Sequence, residues 1–152
     1  MIYNGKPVKS FVGQFAFLSN MYNCNVHVNG LDFPSLESAY QSFKEPDRTQ
    51  RLKFTMMNGY QAKKYWQDNP SPKRPDWDDI KFEIMKTLIK IKFHNPDLRA
   101  RLLATGNMEL VEMNYWHDTT FGVCTCNKCK GQGQNKLGKL LMEARTFYQL
   151  LS

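Results

Sequence analysis

Apolar positions change their spacing early in the chain. From Cys24 to Val28 they alternate, which puts Val26 and Val28 on one face of a strand. Asn29-Gly30 is the residue pair of a type I′ turn, and Leu31 to Phe33 reads as the returning strand. Just before, Phe15-Ala16-Phe17-Leu18-Ser19-Asn20 is an aromatic run ending in small polar residues, expected as a strand or loop edge on the core. After Pro34 the period becomes helical. Leu36, Ala39, Tyr40 and Phe43 recur three and four apart, with Ser35 as N-cap and a stop near Pro46. Asp47 is placed to cap a second helix to about Met57, ended by Gly59, and a third short helix is expected over Tyr60–Gln67. The stretch from Asp68 to Pro75 holds three prolines and is expected as a loop.

The longest helix should come next, capped by Asp76, with Trp77, Ile80, Ile84, Leu88 and Ile91 as its apolar stripe. It ends at Asn95, and Pro96 suits the first turn of the next helix, which closes at Thr105-Gly106. Met108 to Met113 reads as a short strand and Asn114 to Gln134 as a long irregular stretch, a kind of loop that commonly carries function. Asn135 is expected to cap a last helix whose Leu137, Leu140, Leu141, Ala144 and Tyr148 face inward. These elements make an α+β protein, mostly helical with a small sheet. With no repeat or linker, residues 1–152 read as a single domain.

Composition narrows the function. The 152 residues are 41% hydrophobic and 13% aromatic, enough for a packed interior and unlike a disordered tail. No apolar run approaches the ~18 residues of a membrane span, and Met1 to Ser10 has no apolar run of a secretory signal. The expectation is a soluble cytoplasmic protein with no membrane partner. Twenty-one basic and 14 acidic residues give a net charge of +7, which favours phosphates, nucleotides or nucleic acid. Solubility alone accounts equally well for so scattered a set of cations. The densest stretch, Lys44 to Lys53, carries Arg48 and Arg51 but also Glu45 and Asp47.

Four segments are candidates for chemistry. Glu37, Gln41 and Lys44 stand at i, i+4 and i+7, so Glu37 and Lys44 differ by only about 20° around a helix axis. That edge can serve a cleft or simply face solvent. Asp118 comes after Tyr115, Trp116 and His117; burial there would raise its pKa and suit acid–base work, whereas a plain loop Asp would make an Asx turn. Gly131-Gln-Gly-Gln-Asn135 opens the last helix and resembles a phosphate cradle, though a flexible loop before a capped helix explains it as well. Cys124-x-Cys126-x-x-Cys129 reads as reduced loop thiols, with a zinc site the alternative if Cys24, His117 or another side chain supplied a fourth ligand.

The chain resembles the NADAR family, also described as the YbiA-like fold. The matching pieces are Phe17-Leu18-Ser19-Asn20; Ser35-x-Glu37-x-Ala39-Tyr40-Gln41-x-x-Lys44; Arg74-x-Asp76-Trp77-x-x-x-Lys81; Met85 with Lys92-Phe93; Leu102-Leu103-Ala104-Thr105-Gly106; Leu110-x-Glu112; Asp118-x-x-Phe121-Gly122; and Gly133-x-Asn135-x-Leu137-Gly138-x-x-Leu141-Met142-x-x-Arg145. They occur in the family's order. The resemblance implies hydrolysis of the C–N bond of an N-riboside, with no cofactor. The substrate class is a phosphorylated ribosylaminopyrimidine of riboflavin synthesis or an ADP-ribosylated guanine, free or within nucleic acid. It implies Lys44, Glu37 and Asp118 as catalytic residues: Lys44 the nucleophile through a Schiff base, Glu37 the proton-transfer group, Asp118 a contact to ribose hydroxyls or to developing positive charge. Substrate binding would fall to Asn20, Tyr40, Gln41, Arg74, Trp77, Lys81, Phe121, Gly122, Gly133 and Asn135. Arg74, Asn135 and the Gly131–Gly133 loop would hold phosphate, and Tyr40, Trp77 and Phe121 would stack on the base, with Trp77 equally suited to the core. No metal is assigned to the chemistry.

Two departures stand out. Phe121 occupies a position where the family usually has Trp, and the cysteine-bearing stretch from Val123 to Lys130 is longer than the usual connection. A Lys44 nucleophile must be partly neutral; Glu37 opposes that, so Lys81, Arg74 or apolar walls must compensate. Two other readings are an ADP-ribose or NAD-binding module without turnover and a zinc-dependent interaction protein built on the cysteines.

Overall fold

The structure is a computed structural model and describes residues 3–152. It is an α+β protein whose chain divides into two compact units, one of residues 20–94 and one formed by the two ends of the chain, residues 3–19 and 95–152. Among the described residues, no helix is long and apolar enough to cross a membrane.

The contiguous unit opens with the expected hairpin. Strands β1 (Val26–Val28) and β2 (Leu31–Phe33) pair antiparallel, Val26 opposite Phe33. The turn works because Asn29 and Gly30 both adopt positive φ, 52° and 76°. Helix α1 (Leu36–Ser42) begins where Ser35 accepts the Ser38 N–H, as anticipated. Asp47 also caps, by accepting the Thr49 N–H, but the segment it caps, Arg48–Met56, is a run of 3-10 turns. Phe54 is the sole buried side chain in that run, so no apolar stripe holds an α-helix there. Gly59 ends nothing. It is the first residue of α2 (Gly59–Asp68), which Asn58 and Gln61 start with a reciprocal capping box.

The proline-rich segment is a loop, and α3 spans Trp77–Phe93. Asp76 stands before it without capping, because its carboxylate is held by Arg74. The buried face of α3 is Trp77, Met85, Leu88, Ile89, Lys92 and Phe93; Ile80, Ile84 and Ile91 are only half-buried. The expected stripe is thus displaced, and a lysine lies within the true one.

In the discontinuous unit, the aromatic run near Phe15 forms 3-10 turns over Gly13–Leu18 that bury Phe17 and Leu18, so of the two expectations the loop edge on the core holds and the strand does not. Helix α4 (Pro96–Ala104) starts at Asn95 and stops before Gly106, whose φ is 61°. The expected strand from Met108 shrinks to one bridge between Val8 and Leu110 and to the two-residue β3 (Met113–Asn114), paired in parallel with β4 (Val123–Cys124). Helix α5 (Lys136–Leu151) buries Leu137, Leu141, Ala144 and Tyr148, with Leu140 half-buried. Asn135 does not cap it. This residue is left-handed (φ 51°), and its amide accepts the Glu112 N–H and donates to the Leu110 carbonyl.

Candidate active site

The polar edge of α1 is built at close quarters. Gly59 brings the start of α2 against it: a Cβ there would run into Met21 and crowd Glu37. Glu37 is buried, 8% exposed, and accepts a 2.8 Å hydrogen bond from Gln41 Nε2. Gln41 Oε1 is buried and has no hydrogen-bond partner, an orphaned acceptor beside a carboxylate. Asn20 belongs to the same group, since its carbonyl accepts the Glu37 N–H and its amide reaches Met85. Lys44 lies just beyond the helix, on a tightened turn in which its N–H donates to the Gln41 carbonyl. Its own carbonyl accepts the Arg74 N–H, which ties the proline-rich loop to this edge.

The Lys44 side chain is half-buried, with Nζ 5.9 Å from the Tyr40 ring centre and 5.8 Å from that of Trp77. The two rings pack against each other at 5.0 Å and are themselves buried. They therefore wall the amine rather than offer an open stacking face. Burial lowers the Lys44 pKa to about 8; Lys73 pushes the same way, Glu37 opposes, and Lys63 and Lys81 add to the lowering. The compensation thus comes from burial and three lysines, with Arg74 not among the causes. Lys81 also donates to Asp78 at 3.2 Å.

Beside this group lies a cleft of about 640 Å³ lined by Arg48, Arg51 and Arg74, with Phe43 and Pro46 among its walls. Arg74 forms a fork onto Asp76, and Arg51 donates through Nε and Nη2 to the Glu45 carbonyl. Burial lowers the Arg51 pKa, and the charges of Arg74 and Arg48 lower it further, as expected where guanidinium groups converge. Such a set suits an oxyanion. Arg48 and Arg51 are absent from the residues singled out by sequence; their density in the Lys44–Lys53 stretch was the one signal that pointed to them.

The other implied residues belong to the discontinuous unit. Asp118 is half-buried and makes the Asx turn: its Oδ1 accepts the Thr120 and Phe121 N–H groups at 3.1 and 2.9 Å. Phe121 is half-buried, and Gly122 is buried where a Cβ would strike Glu112. The expected cradle at the start of α5 has its donors engaged. The N–H groups of Gln134, Asn135, Lys136 and Leu137 go to the carbonyls of Thr119, Gly122, Thr120 and Phe121. Gly133 is required there because a Cβ would strike the Gly122 carbonyl, so this glycine serves close packing of two backbone segments. Cys124, Cys126 and Cys129 gather around His117, while Cys24 lies in the other unit.

Residues 8–148 match the model of the NADAR domain. A riboflavin biosynthesis protein of Vibrio vulnificus is 36% identical over 131 residues, covering 85% of this chain and 34% of that protein, so the chain spans about a third of that relative's length. The N-glycosidase YbiA of Escherichia coli is 32% identical over 133 residues, covering 84% of this chain and 78% of that one. The solution NMR structure of Escherichia coli YbiA superposes with a TM-score of 0.79 at 27% identity, covering 98% of this chain and 89% of that one. Matched along nearly its whole length by the family's model and by a relative of similar size, the chain belongs to the NADAR domain family.

Proposed function

We propose that this chain is a cytoplasmic hydrolase that cleaves the C–N bond of a phosphorylated N-riboside, with residues 1–152 acting as a single NADAR domain. The observation that carries the reading is the Lys44 amine: walled by Tyr40 and Trp77, held near pKa 8, and next to the buried carboxylate of Glu37. At pH 7 a pKa of about 8 leaves roughly a tenth of the amine neutral, about 300-fold more than an ordinary lysine has. The names of the relatives support the bond type, and those tied to riboflavin biosynthesis favour a ribosylaminopyrimidine phosphate over ADP-ribosylated guanine.

In this mechanism the neutral amine adds to C1′ as the C1′–N bond breaks. The Glu37 carboxylate takes one proton from the attacking amine and passes it to the departing nitrogen, and opening of the ribose ring with transfer of the remaining amine proton to the ring oxygen leaves an imine on Lys44. Water adds at C1′ and expels the amine, so the net reaction consumes one water and yields the free sugar phosphate and the amine product. Arg48, Arg51 and Arg74 receive the phosphate, and Gln41 Oε1 is placed to accept a hydrogen bond from a ribose hydroxyl or from the base.

The test is incubation with a ribosylaminopyrimidine phosphate, ADP-ribosylated guanosine and NAD, each with and without borohydride. Release of a ribose phosphate or ADP-ribose, with a sugar-sized mass fixed on Lys44 under borohydride, is the expected result. Tight binding of ADP-ribose with no release from any substrate would mean a binding module instead.

A further inference from the structure

The cysteine-bearing turn after β4 has a geometry of its own. A ring nitrogen of His117 and the sulfurs of Cys124, Cys126 and Cys129 all lie within 4.8 Å of one another. His117 Nδ1 stands 3.3 Å from Cys126 Sγ and 3.6 Å from Cys129 Sγ. A tetrahedral zinc with ordinary bond lengths separates a nitrogen and a sulfur ligand by about 3.6 Å, and two sulfurs by about 3.8 Å.

The backbone is folded to serve the sulfurs. The Cys129 N–H donates to Cys126 Sγ at 3.4 Å, and the His117 N–H donates to Cys124 Sγ at 3.3 Å. Lys130 and Gly131 N–H groups close the turn onto the Cys126 and Cys124 carbonyls. His117 adopts φ of 71°, a conformation a non-glycine residue rarely takes, and this brings its ring to the thiols. All four cysteines of the chain are without a disulfide.

We propose that His117, Cys124, Cys126 and Cys129 bind one Zn²⁺ through Nδ1 and three thiolates. Three thiolates and an imidazole form a soft donor set that selects zinc over magnesium, calcium or manganese. Four protein ligands close the coordination sphere, so the ion is structural and stands outside bond cleavage. It pins the loop before Asp118 to the turn after β4. A divalent cation holds all three sulfurs as thiolates.

The experiment uses untagged full-length protein expressed without added metal. Elemental analysis and native mass spectrometry should find one zinc per chain, released by a thiol-blocking reagent. Replacement by Co²⁺ should give sulfur-to-cobalt charge-transfer absorption and the intense visible bands of a tetrahedral site. His117→Ala at an exposed position and Cys126→Ser should each weaken zinc binding by more than about 100-fold, since even partners that touch only the ligands are worth roughly 10–100-fold. His117→Cys should keep the metal and strengthen the charge-transfer band. Protein that holds iron or no metal, a mass short by two hydrogens from a Cys126–Cys129 disulfide, or zinc retained in a Cys124→Ser/Cys126→Ser/Cys129→Ser variant would overturn the proposal.

Discussion

The surroundings of Lys44 and of Lys92 reach the same pKa, about 8 in each case, by different routes. Lys44 sits half-buried among three other lysines, with Glu37 and an orphaned amide acceptor beside it. Lys92 is 1% exposed, deep in the α3 face, with Nζ 5.7 Å from the Tyr22 ring centre and 5.1 Å from that of Phe93. Burial does nearly all the lowering there, with Cys24 opposing it. A depressed lysine pKa therefore reports desolvation and does not by itself mark a nucleophile. A nucleophile also needs a path for substrate and a group that moves its proton; the proposed mechanism draws on the arginine-lined cleft and on Glu37 for these at Lys44.

The sharpest way to break this contrast is substitution. Lys44→Arg keeps the positive charge and most of the packing but cannot form an imine, since guanidinium stays protonated. Turnover should be lost, with substrate binding within about tenfold, or ~1.4 kcal/mol. Single-turnover kinetics and isothermal titration read the two separately. An active Lys44→Arg protein would end the Schiff-base mechanism and leave a carboxylate acting on an oxocarbenium-like transition state. Glu37→Gln should slow turnover by roughly 10²–10⁴-fold, the usual worth of general acid–base catalysis. Its kcat should fall far more than its KM changes.

Glu37 and Gln41 were legible because α1 is a regular helix and a spacing of four residues puts them on one edge, whatever packs against it; Lys44, on the tightened turn after α1, was legible as the last member of the Glu-x-x-x-Gln-x-x-Lys pattern. The hairpin was legible for a similar reason, since Asn29-Gly30 admits few backbones. Lys92 was hidden by the same logic. A period reading counts lysine as polar, so it drew the α3 stripe through Ile80, Ile84 and Ile91 and missed the face that buries Lys92. The arginine cleft was hidden because 3-10 turns bring Arg48 and Arg51 toward Arg74, and that convergence is tertiary. Asn135 illustrates the remaining difficulty: as a cap it satisfied every local rule, yet its amide went to the Leu110 and Glu112 backbone. The thiol cluster lay in plain view as a motif, but its fourth member depends on the uncommon backbone of His117.

Activity against pH sharpens the contrast further. The reactive form of Lys44 is the neutral amine, so kcat should climb about tenfold per pH unit below about 8 and level off above it. Lys92→Met should leave that limb in place. A limb that moved with Lys92→Met would mean that the wrong lysine had been assigned.

The smallest effect concerns stability. The folded pKa of Lys92 is lowered to about 8 from an unfolded value of 10.5, so between those values the unfolded chain binds more protons. Stability should therefore rise with pH across that window, by about 1 kcal/mol between pH 8 and 9 for a fully buried amine. Lys44 contributes with the same sign and less weight, because solvent reaches it. Cys24 acts in the opposite direction above about pH 9: burial raises its thiol pKa, so ionisation of the unfolded thiol favours unfolding. The window from 8 to 9 is thus where the lysines act most nearly alone. Urea denaturation at the two pH values should show wild-type protein gaining stability and Lys92→Met gaining distinctly less, while the kcat of that variant stays within about threefold of wild type. If Lys92→Met keeps the whole gain, Lys92 is already solvated or paired in the folded protein, and burial is not what separates the two lysines.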